Sequence, residues 1–227
     1  MATTLRWLGH ACWLVSSGGK TILLDPFLND SPTAPVKADA VQPDYVLVSH
    51  GHFDHVADAA AIAKRAGATV VANFEICQWL GKQGVQKSEP MNVGGGIDLD
   101  FGRVKMTIAH HSSELPDGGG GGNPGGFVLT LADGVVYFAC DTALFYDMKL
   151  IGAVGLDLAV LPIGDRFTMG PDDALAAVKL LKPRRVVPSH YNTWPPISQD
   201  AAAWAARVKA ETDAEPIVIT PGGTITL

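Results

Sequence analysis

Apolar and polar residues alternate through 4–8 and 11–16, and Ser17-Gly18-Gly19-Lys20 supplies a hairpin turn into 21–25, so the chain opens as an antiparallel meander. A Pro-rich loop, 26–43, leads to DYVLVS at 44–49, a continuous apolar run of the kind that a strand buried on both faces requires. Alanines and charges then recur at helical spacing over 56–66. The stretch 68–73 reads as a second buried strand, and Asn73 suits the N-cap of a helix ending near Gln83. Short strands return between 97 and 131 (IDLDF, RVKMTIAHH, GGFVLTL). They are broken at 118–122 by consecutive glycines, which cannot pack a core and predict a flexible loop. Further strands fall at 135–139, 157–161 and 184–189. Pro171, Asp172 and Asp173 open a helix to Leu181, another helix covers 198–210, and two strands end the chain. Two blocks that each pass from short strands to strand-helix units predict a two-sheet core with helices packed outside.

Composition narrows the class. The 227 residues are 47% hydrophobic and 18% charged, a balance that offsets chain entropy and excludes intrinsic disorder. At roughly 150 residues per domain, this length predicts one domain over 1–227. A net charge of -6 gives no electrostatic footprint for a phosphate backbone, so nucleic acid is not an expected partner. Cys12, Cys77 and Cys140 form no CxxC pair, which argues against a disulfide framework or a thiolate zinc site and fits a reducing cytoplasm. The opening MATTLRWLGHACWLV lacks the regions of a signal peptide, and no apolar run approaches about 18 residues, so neither export nor membrane insertion is expected. A homo-oligomer is compatible with all of this.

The chemistry concentrates in His50-Gly51-His52-Phe53-Asp54-His55. With seven histidines in the chain, this pattern arises by chance roughly once in 2,000 such sequences. At extended spacing His50 and His52 point the same way. A chain turning into a helix after Phe53 swings Asp54 and His55 elsewhere, so one short segment can ligate two adjacent metals. The plain alternative is a polar loop of solvated histidines. Two metals need more donors, and the chain offers them where strands end: the adjacent His110 and His111 after MTIA, Asp141 after VVYFAC, and His190 after VVPS.

These residues lie in a sequence that resembles the metallo-β-lactamase superfamily over essentially its whole length. The opening LGHACWLV, LLDP at 23–26, AHHSS at 109–113, NPGGFVL at 123–129, YFACDT, LPIGDRFTMGP and PSHYNTWP are similar to the branch of small bacterial metal-dependent hydrolases related to ascorbate-6-phosphate lactonases. More distantly, they resemble the phospholipases D that cleave N-acylphosphatidylethanolamine. The resemblance implies a four-layer αββα sandwich of α/β class and a single hydrolase domain. It also implies two divalent metal ions, Zn first, with Mn, Fe or Ni as alternatives, since imidazole and carboxylate donors suit them all.

By position, the resemblance implies His50, His52 and His111 on one metal, Asp54, His55 and His190 on the other, and Asp141 bridging. It favours His111 over His110 because the family ligand immediately precedes the Ser-Ser pair. Asp25 matches an aspartate that orients a ligand histidine through its other N–H. Such a centre hydrolyses a small ester, lactone or phosphodiester, with Asp54 holding or deprotonating the water. His10 is expected to reach the metal mouth as a proton donor, and Asp165, Arg166, Thr193 and Trp194 are expected to line the pocket of a small-molecule substrate.

Rival patterns are weaker. Gly18-Gly19-Lys20-Thr21 imitates the end of a phosphate loop, but Leu14 stands where its first glycine belongs and a strand follows instead of a helix. The glycines at 118–126 include dinucleotide-type spacings with no helix to follow, so a mobile lid is the functional reading there. Cys140 is expected to be a small buried hydrophobe facing away from Asp141. Di-iron redox proteins of this fold resemble His-x-Glu-x-Asp-His, whereas this chain has His52 at the glutamate position. A non-catalytic binding module, the third possibility, tends to lose ligands, and here the donor set is intact.

Overall fold

The computed structural model describes residues 2–227. Its first half runs β1 (Thr4–Trp7), β2 (Trp13–Ser17), β3 (Lys20–Leu24), β4 (Tyr45–Leu47), α1 (Phe53–Val56), α2 (Ala59–Ala66), β5 (Thr69–Asn73), α3 (Phe74–Lys82) and β6 (Ser88–Met91). The remainder runs β7 (Gly96–Leu99), β8 (Gly102–Ile108), β9 (Gly125–Leu131), β10 (Gly134–Phe138), α4 (Met148–Gly152), β11 (Leu158–Pro162), α5 (Pro171–Leu181), β12 (Arg185–Ser189), α6 (Ala201–Glu211), β13 (Glu215–Pro216) and β14 (Thr224–Thr226). Among the described residues these strands form two seven-stranded sheets, ordered β14-β1-β2-β3-β4-β5-β6 and β13-β12-β11-β10-β9-β8-β7.

Period-two alternation sorts each strand's side chains between two cores. Trp13, Val15, Ile22, Leu24, Leu47 and Val71 face inward and share one buried cluster with Phe127, Phe138, Val160 and Val187 of the second sheet. Their neighbours Leu23, Val46, Val48 and Val70 face outward and pack with Ile62, Ile76 and Leu80 of α2 and α3. On the far side, α5 and α6 add Leu175, Val178, Trp204 and Val208 to the second sheet. The layers are helix, sheet, sheet, helix: the αββα sandwich.

Strand direction places the site. β3 and β4 are parallel, as are β10, β11 and β12, and β8 runs with β10 because both are antiparallel to β9. The segments after β3, β4, β8, β10 and β12 therefore leave through the C-terminal strand ends of the two sheets. The Gly125 N–H donates to the Ser49 carbonyl at 3.0 Å, tying the start of β9 to the end of β4 across the sandwich. A Cβ at Gly126 would meet the Phe138 carbonyl oxygen at 2.6 Å, so only glycine lets the strands approach this closely there.

Four elements depart from the sequence reading, the first being the five-residue α4, too short to show a helical period. The helix expected over 56–66 begins earlier and breaks after Val56. The cause is Asp58, whose N–H donates to the Pro26 carbonyl and whose carboxylate accepts from the Leu28 and Asn29 N–H groups and the Asn29 amide. Strand β6 contains Pro90 and does not alternate like a half-buried strand. It sits at the sheet edge, where a missing N–H is tolerated. The glycines at 118–122 belong to a pinned hairpin. Gly121 N–H donates to the Ser113 carbonyl at 2.7 Å, and the Asn73 amide donates to the Gly121 and Asn123 carbonyls at 2.6 and 3.0 Å. A Cβ on Gly121 would lie 3.3 Å from Gly51 Cα, so glycine is what lets this hairpin close against the histidine segment.

Candidate metal centre

β4 ends at Leu47, and the chain bends at Gly51 rather than staying extended before α1 starts at Phe53 with His52 as its N-cap. His50 and His52 still converge, with His50 Nε2 3.0 Å from His52 Nδ1, while Asp54 and His55 enter the first helical turn. His111, three residues beyond β8, brings its Nε2 to 3.2 Å from His52 Nδ1. His190 Nε2 lies 4.0 Å from Asp54 Oδ2. Asp141 Oδ2 stands between the two groups, 3.4 Å from His55 Nε2, 3.6 Å from His111 Nε2 and 3.0 Å from His190 Nε2. His10, Asp25, Cys140 and His190, all at this end of the sandwich, have positive φ of 51°, 44°, 54° and 53°. Left-handed conformations of non-glycine residues cost about 1–3 kcal/mol each and cluster where a fold must aim particular groups.

Hydrogen bonds behind the cluster fix the rings. Asp25 is fully buried and accepts from Ser49 N–H at 2.8 Å, Ser49 Oγ at 2.6 Å and His55 Nδ1 at 2.9 Å. Because Ser49 gives its one hydroxyl proton to Asp25, it accepts from His50 Nδ1 at 2.9 Å. His50 and His55 are thereby held with protons on Nδ1 and lone pairs on Nε2, the tautomer a metal needs. On the other side His10 Nε2 donates to Asp54 Oδ2 at 3.0 Å, and its Nδ1 pairs with Thr193 Oγ1 at 2.7 Å.

The electrostatics favour added positive charge. Burial works against a charged His55, yet Asp141, Asp54 and Asp25 together lift its pKa well above the ordinary histidine value. Burial likewise opposes ionisation of Asp54 and Asp141, but His55 and His10 hold the first below the usual carboxylate range, and His190 and His55 do the same for the second. His10 responds oppositely: burial, then His190, pushes it down to about 3, so it stays neutral.

The donor set fits divalent metal. His55 Nε2, His190 Nε2 and Asp141 Oδ1 are buried without a hydrogen-bond partner, although carboxylate oxygens lie close to both nitrogens. Orphaned buried groups are costly unless something satisfies them. Spacings of 3.0–3.6 Å among these atoms bracket the ~3.3 Å between two ligands on a tetrahedral ion with ~2.0 Å bonds. The groups His50-His52-His111 and His10-Asp54-His55-His190 each bring their ligand atoms within 4.8 Å of one another. Within its group His10 has one nitrogen on the Asp54 carboxylate and the other on the Thr193 hydroxyl, whereas His55 Nε2 and His190 Nε2 have no hydrogen-bond partner.

The expected pocket residues divide. A cleft of about 870 Å³ opens over His52, Asp54, His111, Asp141 and His190, and Trp194 lines it. Thr193 is buried behind His10, and Asp165 and Arg166 lie outside the lining, with the Arg166 guanidinium over the Phe167 ring at 5.5 Å. His10 does not reach the mouth either: fully buried, it stands behind Asp54 as a neutral donor. His110 is exposed and stacks on Phe145, while Cys140 is buried with its thiol on the Phe138 carbonyl. Sequence reasoning missed Ser49, Thr193 as the partner of His10, and Ser113, whose Oγ accepts from Gly51 N–H and donates to the Gly121 carbonyl. Only Ser49 left a local signal, being adjacent to His50.

Comparison with known proteins agrees with this architecture. A family model described as a beta-lactamase superfamily domain matches residues 4–190. A UPF0173 metal-dependent hydrolase of Heliobacterium modesticaldum is 48% identical, with 98% of this chain and 97% of the relative covered. One from Thermus thermophilus is 49% identical, with 98% of each covered. Igni18, a metallo hydrolase from the archaeon Ignicoccus hospitalis, superposes with a TM-score of 0.91 at 34% identity, over 100% of this chain and 99% of that one. By these matches the chain belongs to the metallo-β-lactamase superfamily, as one of its metal-dependent hydrolases.

Proposed function

We propose that the chain is one hydrolase domain whose seven donors hold two divalent cations: His50, His52 and His111 on one, Asp54, His55 and His190 on the other, and Asp141 shared. The observation that carries this reading is the convergence of imidazole nitrogens and two carboxylates, several of them buried and unpaired, on two adjoining points. Zn is the expected ion, with Mn, Fe or Ni suited to the same donors. When bound, such ions would lower the pKa of a water toward neutrality and polarise the oxygen of the scissile group. Asp54, at the cleft floor with Oδ2 held by His10, takes up the proton of the attacking water and returns it to the leaving oxygen. Asp25 and Ser49 keep His55 and His50 in register throughout.

The substrate in this reading is a small ester, lactone or phosphodiester, and the working compartment is the cytoplasm, in keeping with three free buried cysteines. No helix of the described residues is long and apolar enough to cross a membrane. The chain's His52, in place of a glutamate, disfavours di-iron redox chemistry.

The ligand assignment is tested by calorimetric titration of metal-free protein with Zn. His111→Ala is expected to weaken one of two sites by about 10²-fold or more, and His110→Ala by less than about twofold. The reverse order would contradict the assignment.

A further inference from the structure

The cleft above the donors is asymmetric in its chemistry. Its walls are Phe53, Leu115, Phe167, Trp194, Pro196 and Ile197, and none of its described lining residues is lysine or arginine. Phe53 and Phe167 are each 55% exposed and both face this cleft, so an apolar group seated there would cover them. Phe53 and Trp194 rings lie 6.2 Å apart and both lean on buried Phe27, at 5.7 and 5.8 Å, so this wall is preformed. The charged lining residue outside the donor cluster is Glu114, exposed at the rim, which repels anions. Arg166 is engaged over Phe167 and outside the lining. Among the lining residues a phosphate or carboxylate remote from the scissile bond would find no counter-charge, and it would lose hydration against apolar walls.

We propose that the substrate is an uncharged carboxylic ester or lactone whose apolar acyl or aryl arm lies against Phe53, Phe167 and Trp194; this rests on the hydrolase reading above. The water oxygen bonds to the acyl carbon and the acyl C–O bond breaks. One water proton goes to the leaving oxygen, and the other is released as the new acid ionises.

The test uses the Zn-loaded protein with phenyl acetate, phenyl hexanoate, monophenyl adipate and diphenyl phosphate. We expect kcat/KM for the hexanoate to exceed that for both the acetate and the charged adipate by at least about tenfold. Phe167→Ala, a change at an exposed site, should shrink the hexanoate-to-acetate ratio to about threefold, chiefly through KM. Equal or better turnover of the adipate overturns the proposal, and so does cleavage of diphenyl phosphate without ester turnover, which would leave the hydrolase reading intact. Ester hydrolysis indifferent to chelation would instead sink the hydrolase reading itself. Should no compound turn over, saturable calorimetric binding of hexananilide that weakens several-fold in Phe167→Ala supports the apolar site. The absence of such binding overturns it.

Discussion

Asp54→Asn is expected to lower the metal-dependent turnover of any accepted substrate by about 10²- to 10⁴-fold, with the fold retained. The asparagine carbonyl still accepts from His10 Nε2, so the bond that orients the side chain survives. Two other properties are lost. A neutral amide is a weaker donor to a cation, and it cannot take up a proton from water. Asp54 sits in a short helix at the cleft floor with a side chain only 13% exposed, so an isosteric change leaves packing intact, and the metal-free melting temperature should move by only a few degrees. Rates at saturating metal beside a thermal melt check this. Near-wild-type turnover with unchanged metal content would remove Asp54 from the proposed chemistry.

Metal removal is expected to have the next largest effect. Three carboxylates, Asp25, Asp54 and Asp141, crowd His55, and without cations their mutual repulsion and the unpartnered buried atoms His190 Nε2 and Asp141 Oδ1 are uncompensated. Two ions held at 100 to 1,000 times their dissociation constants contribute about 5–8 kcal/mol in total. For a chain of this size that corresponds to a fall of roughly 10–30 °C in Tm on complete chelation. Calorimetric scans of loaded and stripped protein measure it, and a Tm unchanged within about 3 °C after verified stripping would show that the cluster is satisfied without metal.

Local signals in the sequence carried far. Asn73 caps α3 by accepting from the Ile76 N–H, and α5 starts at Pro171, both legible because capping and N1 preferences act within one turn. The hexapeptide was legible because its ligands are contiguous, and Asp25 because its contact with His55 follows a family pattern. What stayed hidden depends on long separations. Thr193 meets His10 across 183 positions and Asn73 pins a glycine carbonyl 48 positions away, so neither leaves a periodicity to read. The expected reach of His10 to the mouth failed for a related reason. Its burial follows from packing between the β1–β2 turn and the segment after β12, which only the closed sandwich brings together.

The claim that two cations occupy this cluster is tested most directly by elemental analysis of protein purified without added metal and then reconstituted with Zn or Mn. Two equivalents per chain, falling toward one in His111→Ala, is the expected result. No more than trace metal after reconstitution would contradict the account.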